Sequence, residues 1–483
     1  MNPHTLLAVL QDMHQQVQQE GERTFKHWQP DLVRKNFRPS ALNLASYLAL
    51  RRMDLRELQQ ELGRYGLSTL GRSESRVLLQ LQAVLATLHA LTGEPYTHPA
   101  SASWGEGSEL LRSNTLELLG EASTGTGVRL MVTLPTEAAT DAQLVRDLLE
   151  HGMDVARINL AHDDETVWLQ MVEQVRSHAR ELGRSCRIVM DLGGPKLRTS
   201  RILAGTEKRL KSGDVLNLYA KDASDPVAPA VWCSLPEALK LLEVGSEVWF
   251  DDGKMRCVVE EVLPDRICLR VKQTRSKGYK LKAEKGINFP HLDLLIPALT
   301  AKDVLDLPFV VEHADLVAFS FVQTPEDVQS LQQHLNRLER PDLGLILKIE
   351  TGLAVRHLPE LMVQAASHQP TGVMIARGDL AVEVGFERLA EVQEEILWLC
   401  EAAHIPVVWA TQVLESLVKE GVPSRAEITD AAMAERAECV MLNKGPCVVQ
   451  AMDVLQDVFG RMQAHQHKKT AQLRRLRLAG QAP

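Results

Sequence analysis

Three short strings carry groups that could do chemistry together: Lys348-Ile349-Glu350, Arg377-Gly378-Asp379 and Ala410-Thr411-Gln412. Each closes a short apolar run rich in β-branched residues: Leu343 to Leu347, Gly372 to Ile375 and Pro406 to Trp409. A lysine, two carboxylates and a threonine gathered in one place suit a divalent cation and a phosphate. Glu350 and Asp379 offer the hard oxygens that magnesium takes, leaving part of its octahedron for substrate. Either carboxylate alone is more simply a helix cap. With Lys348 two residues before Glu350, the ligand reading prevails. Lys348 ends a strand of Leu, Ile and Leu, so its ammonium can stabilise a transferring phosphoryl group or only neutralise the two carboxylates. The backbone N–H groups of Gly378 and Asp379 open a helix and can bind carboxylate or phosphate. Thr411 can donate or relay a proton to a bound enolate.

Upstream, the run Val155 to His162 contains Arg157, whose fork suits phosphate; its structural alternative is a salt bridge to Glu350 or Asp379. Asp191 opens Asp-Leu-Gly-Gly-Pro-Lys-Leu-Arg-Thr, a turn suited to the hinge of a lid, with Arg198 facing nucleotide phosphates and Lys196 beside the turn.

The elements that must position these groups follow a strand–helix rhythm. Strands are predicted at 129–134, 154–160 and 187–191, then at 315–320, 343–349, 372–376, 406–410 and 439–442. Eight parallel strands close a barrel and place the strand ends on one rim. Between 200 and 285 the pattern changes to alternation with tight turns, such as Pro264-Asp265, and predicts an inserted small β-barrel lid domain. The fold class is therefore α/β. The (β/α)8 barrel would span 128–199 and 286–465, the lid 200–285, an all-helical domain 1–92, and a linker with one short docked helix 93–127. A basic tail, 466–483, reads as a solvated helix end. In the first domain Asp54 to Glu57 has the form of a capping box. A stripe from Val77 to Leu91 must be buried, as a packing or dimerisation surface or, alternatively, around an effector.

A chain of 483 residues exceeds one core, and its net charge of −9 argues against nucleic-acid binding. Its seven cysteines form no CxxC pair, which suits a reducing compartment. Neither a signal peptide nor a membrane-crossing run is evident, so a cytoplasmic location is expected.

Between about 128 and 460 the chain resembles the pyruvate kinase family. The strings that carry the likeness, in order, are Gly152 to Asn159, Asp191 to Thr199, Asp251-Asp252-Gly253, Lys285 to Asn288, Ser320-Phe321, Lys348 to Glu350, Ala376 to Leu380 and Ala410 to Ser416. The resemblance implies a magnesium-dependent (or manganese-dependent) transfer of phosphate from phosphoenolpyruvate to ADP, giving pyruvate and ATP in glycolysis. It implies metal ligation by Glu350 and Asp379. Catalytic roles fall to Lys348, Thr411 and Arg157, and substrate contacts to Arg157, Ser320, Lys348, Gly378, Asp379 and Thr411. Asn159, His162 and Arg198 would contact nucleotide.

Four departures from the family pattern bear on this expectation. Lys196 replaces the usual hinge glutamate, and Ala161 a potassium-binding serine, leaving Asn159, Asp191 and Lys196 in the monovalent-cation region. Members with lysine there need no potassium, so none is expected to be required here. The loops Leu134 to Glu137 and Asn443 to Pro446 differ from the family's. The chain stops soon after the last barrel helix, so a dimer or monomer without the family's sugar-phosphate effector site is expected. The alternatives are another magnesium-enolate barrel, such as an oxo-acid lyase or decarboxylase, and a catalytically idle regulatory paralogue.

Overall fold

The computed structural model describes residues 1–29, 32–203, 209–221, 226–290 and 292–472. Eight parallel strands close the central barrel: Arg129–Thr133, Met153–Asn159, Arg187–Asp191, Leu316–Phe319, Gly344–Ile349, Thr371–Ala376, Val407–Ala410 and Cys439–Leu442. They neighbour one another in chain order, and the eighth pairs with the first, Arg129 opposite Cys439. Most of these strands are buried along their whole length, because barrel strands are covered on both faces. The returning helices start where the sequence supplies caps. Asp164 accepts from Thr166 and Val167, while Thr300 with Asp303, Thr324 with Asp327 and Ser424 with Glu427 form reciprocal capping boxes.

The insertion after the third strand is a seven-stranded sheet that begins with Thr199–Leu203 and ends with Ile287–Asn288. Its two edge strands meet only at the neck, where Arg198 bridges Gly286, so it is a curled sheet closed at its base. Three of its strands, Thr199–Leu203, Ala230–Cys233 and Ile287–Asn288, lie outside the alternating runs that mark the others in the sequence.

Helices Pro3–Trp28, Arg38–Arg51, Arg56–Arg64 and Val77–Thr92 form the first layer. The stripe at Val77, Leu81, Val84, Leu85 and Leu88 is buried within the chain, in one apolar cluster that continues into the barrel's outer layer, whereas Leu91, expected to share it, is exposed in the helix's last turn. Asp54 makes no capping box: it bonds the Arg56 backbone and guanidinium, and the helix starts without a side-chain cap. The stretch expected to be a linker with one short docked helix carries helix Glu106–Leu119, whose Leu118 and Leu119 close the barrel floor among Met131, Val155, Val189, Ile346 and Met374. The barrel makes room for this plug with glycine. A Cβ on Gly372 would lie 2.6 Å from a Leu118 methyl, and one on Gly344 2.9 Å from another.

The tail differs from a solvated helix end. Gln466–His467 and Thr470–Ala471 form a two-stranded hairpin in which Lys468 pairs with Glu438, and Lys469 with Glu74 of the first layer. Residues 473–483 of that predicted tail lie outside the described residues.

Candidate active site

The fifth barrel strand delivers Lys348 to the rim with only 9% of its surface exposed. Its ammonium lies 2.6 Å from Ser320 Oγ, 3.1 Å from Asp191 Oδ1 and 3.2 Å from Glu350 Oε1. Burial alone would push this amine toward its neutral form; the charges of Asp191 and Glu350 outweigh that and raise its pKa. Asp191 ends the third strand wholly buried. Burial would raise its pKa, but Lys348 and Arg157 hold it below the usual carboxylate range. Arg157 donates to Asp191 Oδ2 through Nε at 2.8 Å and to Thr133 Oγ1 at 2.9 Å. The salt bridge expected between Arg157 and Glu350 or Asp379 is therefore made to Asp191, the carboxylate directly across the sheet from Asn159. Alternating charges thus run around the rim from Arg157 through Asp191 and Lys348 to Glu350, so each ion is compensated where water is scarce.

Glu350 is 4% exposed, and its Oε2 accepts from the Phe321 N–H at 2.6 Å. The backbone of Phe321 holds a positive φ of 56°. Thr351, not Glu350, caps the next helix. Asp379 sits in the first turn of helix Arg377–Val384, yet its side chain turns to Lys196 Nζ at 2.8 Å and Asn288 Nδ2 at 3.5 Å. Neither carboxylate is spent on capping. Both are buried hard-oxygen donors at the ends of adjacent strands, and the nearby Asn288 Oδ1 is buried without a hydrogen-bond partner among the described residues. Among the described residues no third His, Cys, Asp or Glu completes a metal cluster with them. A two-carboxylate site of this kind fits magnesium, which keeps positions for water and substrate oxygens. Burial, with Asp379 and Asp191 opposing Lys348, raises the Glu350 pKa.

Lys196 does not join Asn159 and Asp191. It reaches from the hinge to Asp379 and, at 4.0 Å, Asp252 of the lid. Burial would lower its pKa, but Asp379 and Asp252 raise it. The hinge carries Gly194 at φ 64°, where a Cβ would lie 2.9 Å from that of Ser320. Only glycine lets the lid's neck pass so close to the site.

On the next strands, Thr411 adopts φ 62° and Gln412 φ 57°, a strained turn at the end of the seventh strand. Thr411 Oγ1 accepts the Gly378 N–H at 2.8 Å, so that amide is engaged by the threonine rather than held open for an anion. Arg377 is a site residue that the sequence reading quoted without assigning. It donates to the carbonyls of Ala410 and Thr411, pairs with Asp430 and lies 5.0 Å over Trp409. It holds the threonine's turn in place. Its flag in the sequence is an arginine at an apolar strand end.

Asn159 and His162 line a cavity of about 350 Å³ with Arg157, Thr133, Asn443 and Lys444. Asn159 Oδ1 accepts from the Ala161 N–H. Burial, Lys444 and Arg198 lower the His162 pKa, so the imidazole is neutral at pH 7. Lys444 belongs to the altered loop after the eighth strand, and it brings a cation to this cavity that the sequence reading did not place. Arg198 bonds the Glu284 carbonyl at the neck of the lid. A second cavity, about 1140 Å³, lies between lid and barrel and is lined by Lys196, Trp249, Asn288, Arg356, Glu383 and Phe386.

The model of the pyruvate kinase barrel domain matches residues 127–447. The pyruvate kinase of Methylorubrum extorquens is 36% identical over 309 residues, 63% of this chain and 62% of that protein. That of Thermococcus litoralis is 34% identical over 64% of this chain and 63% of its own. That of Clostridium perfringens is 32% identical over 62% of each. The chain spans about three fifths of the length of these relatives. The chain belongs to the pyruvate kinase family.

Proposed function

We propose that this chain transfers a phosphoryl group from phosphoenolpyruvate to ADP, giving pyruvate and ATP, in the cytoplasm and without a potassium requirement. The observation that carries the reading is the buried ammonium of Lys348, held by Ser320, Asp191 and Glu350 beside a second rim carboxylate, Asp379. Magnesium or manganese, held by Glu350 and Asp379, would neutralise charge on the phosphate and enolate oxygens. Lys348 faces the transferring phosphoryl group and stabilises the charge that spreads over its oxygens. Thr411, fixed by the Gly378 amide and the Arg377 clamp, moves the proton that converts enolpyruvate to pyruvate. Arg157, Asn159, His162 and Arg198 supply the nucleotide side, and the lid, hinged at Gly194, excludes water from transfer. Lys196 brings a fixed positive charge to Asp379, in place of the charge that a monovalent ion supplies in other family members. Seven cysteines without a disulfide are at home in a reducing cytoplasm. A homodimer completes the proposal, and light scattering checks it.

The test is a lactate-dehydrogenase-coupled assay with phosphoenolpyruvate, ADP and magnesium in tetramethylammonium buffer. Pyruvate formation without potassium is expected. A large potassium stimulation overturns the cation reading. Decarboxylation of oxaloacetate without ADP would instead identify an oxo-acid lyase, and no turnover of either substrate an idle paralogue.

A further inference from the structure

Away from the barrel rim, an open cavity of about 540 Å³ lies against the first layer, within the range of small-molecule pockets. Three segments distant in sequence build it. The helix Val77–Thr92 contributes Gln80, Ala83 and Thr87 at helical spacing, and the turn before it gives Arg72 and Arg76. Trp104 comes from the turn that leads into the barrel plug, and Thr470 from the hairpin. The charge here is one-sided. Arg76 lies 4.4 Å over the Trp104 ring and donates to the Trp104 carbonyl at 3.3 Å, while its Nε is buried with no partner among the described residues. Glu74 and Glu401 act on Arg76, but Glu74 is answered by Lys469 and Glu401 by Lys468 and Lys469. Arg72 has no ion-pair partner among the described residues, and the cavity is lined also by His98. Two neighbouring guanidinium groups, one of them half-buried and missing an acceptor, form a fork for an oxyanion of more than one charge. The indole and the aliphatic wall at Ala83 and Val84 leave room for an organic body.

We propose that this cavity binds a small phosphomonoester: the phosphate is taken by Arg72 and Arg76, and the body lies along Trp104, Gln80 and Thr87. The ligand would tie together the first layer, the segment entering the barrel floor and the hairpin, so its binding stabilises the assembled chain.

Isothermal titration of the full chain with glucose 6-phosphate as probe, and glucose as neutral control, tests this. Saturable binding of the phosphate ester alone is expected. Arg72→Ser, which removes an exposed side chain, and Ala83→Leu, which fills the cavity, should each weaken it about tenfold or more. Both should leave the melting temperature without probe and the rate of phosphoryl transfer unchanged. Lys348→Met should leave the binding intact. If binding survives in Arg72→Ser and Ala83→Leu but is lost in Lys348→Met, the ester sits on the barrel rim and the proposal fails. Failure also follows if no saturable binding occurs with the wild-type chain, or if glucose binds as well as its phosphate.

Discussion

At the rim, every charge is spoken for twice. Lys348 touches three oxygens and Asp191 three donors, so removing one member leaves a buried ion uncompensated. Lys348→Met is therefore expected to lower phosphoryl transfer by about a thousandfold or more while magnesium binding persists. Single-turnover rates together with equilibrium dialysis of the metal separate those outcomes. Lys196 supports a different expectation. Its ammonium occupies Asp379 Oδ2, an oxygen that a divalent ion would share, and like charges at such range repel by several kcal/mol at a low effective dielectric. Lys196→Met should thus lower the magnesium concentration for half-maximal activity severalfold and make turnover respond to potassium. A weaker metal response would show instead that Lys196 mainly positions Asp379. The identities of these residues were legible from the sequence, because a charged group at the end of an apolar strand has few other reasons to exist. Their pairings were not. Arg157 chooses Asp191 over Glu350 through cross-strand register, and Lys196 reaches Asp379 only because the lid neck folds back over the rim.

Among the elements, the barrel strands announce themselves by apolar runs ending in polar strings, and the linker helix is expected too, but not its place as a plug. Glu106–Leu119 lies between glycine-rich stretches, and nothing in its pattern says that Leu118 belongs under a barrel. The partner signal is Gly344 and Gly372, which open two strands where a side chain would collide with it. Gly372→Ala is expected to cost about 2 kcal/mol through overpacking, and Leu118→Ala about 2–4 kcal/mol through the cavity it leaves. Since each change relieves the other, the double variant should be less damaged than the sum by about 1 kcal/mol or more. Urea denaturation of the three variants measures that coupling. The lid strand Ala230–Cys233 was missed for a related reason: four consecutive buried residues show no alternation.

Across the whole molecule, the helical layer, the barrel and the hairpin share a charged seam around Glu401. Burial raises the Glu401 pKa from 4.5 to about 7, with Lys468 and Lys469 opposing and Glu74 and Glu438 reinforcing. The native chain therefore holds this proton between about pH 5 and 7 where the unfolded chain has released it, and stability falls as pH rises through 7. Glu401→Gln should remove on the order of 1 kcal/mol of that loss between pH 5 and 8, read as the difference in denaturation midpoints between variant and parent. Glu383, raised to about 8 by burial, contributes with the same sign in both proteins and cancels from the comparison. Such a seam is beyond sequence reading, since its members are scattered from residue 74 to residue 469.

The tie between Lys469 and Glu74 joins residues 395 apart. During translation the helices that carry Glu74 are made before the barrel, and the lysine that neutralises this carboxylate is polymerised only after every barrel strand. The amino-terminal layer is consequently made before the barrel and gains that ion pair only after it, a contact of long sequence separation that forms late.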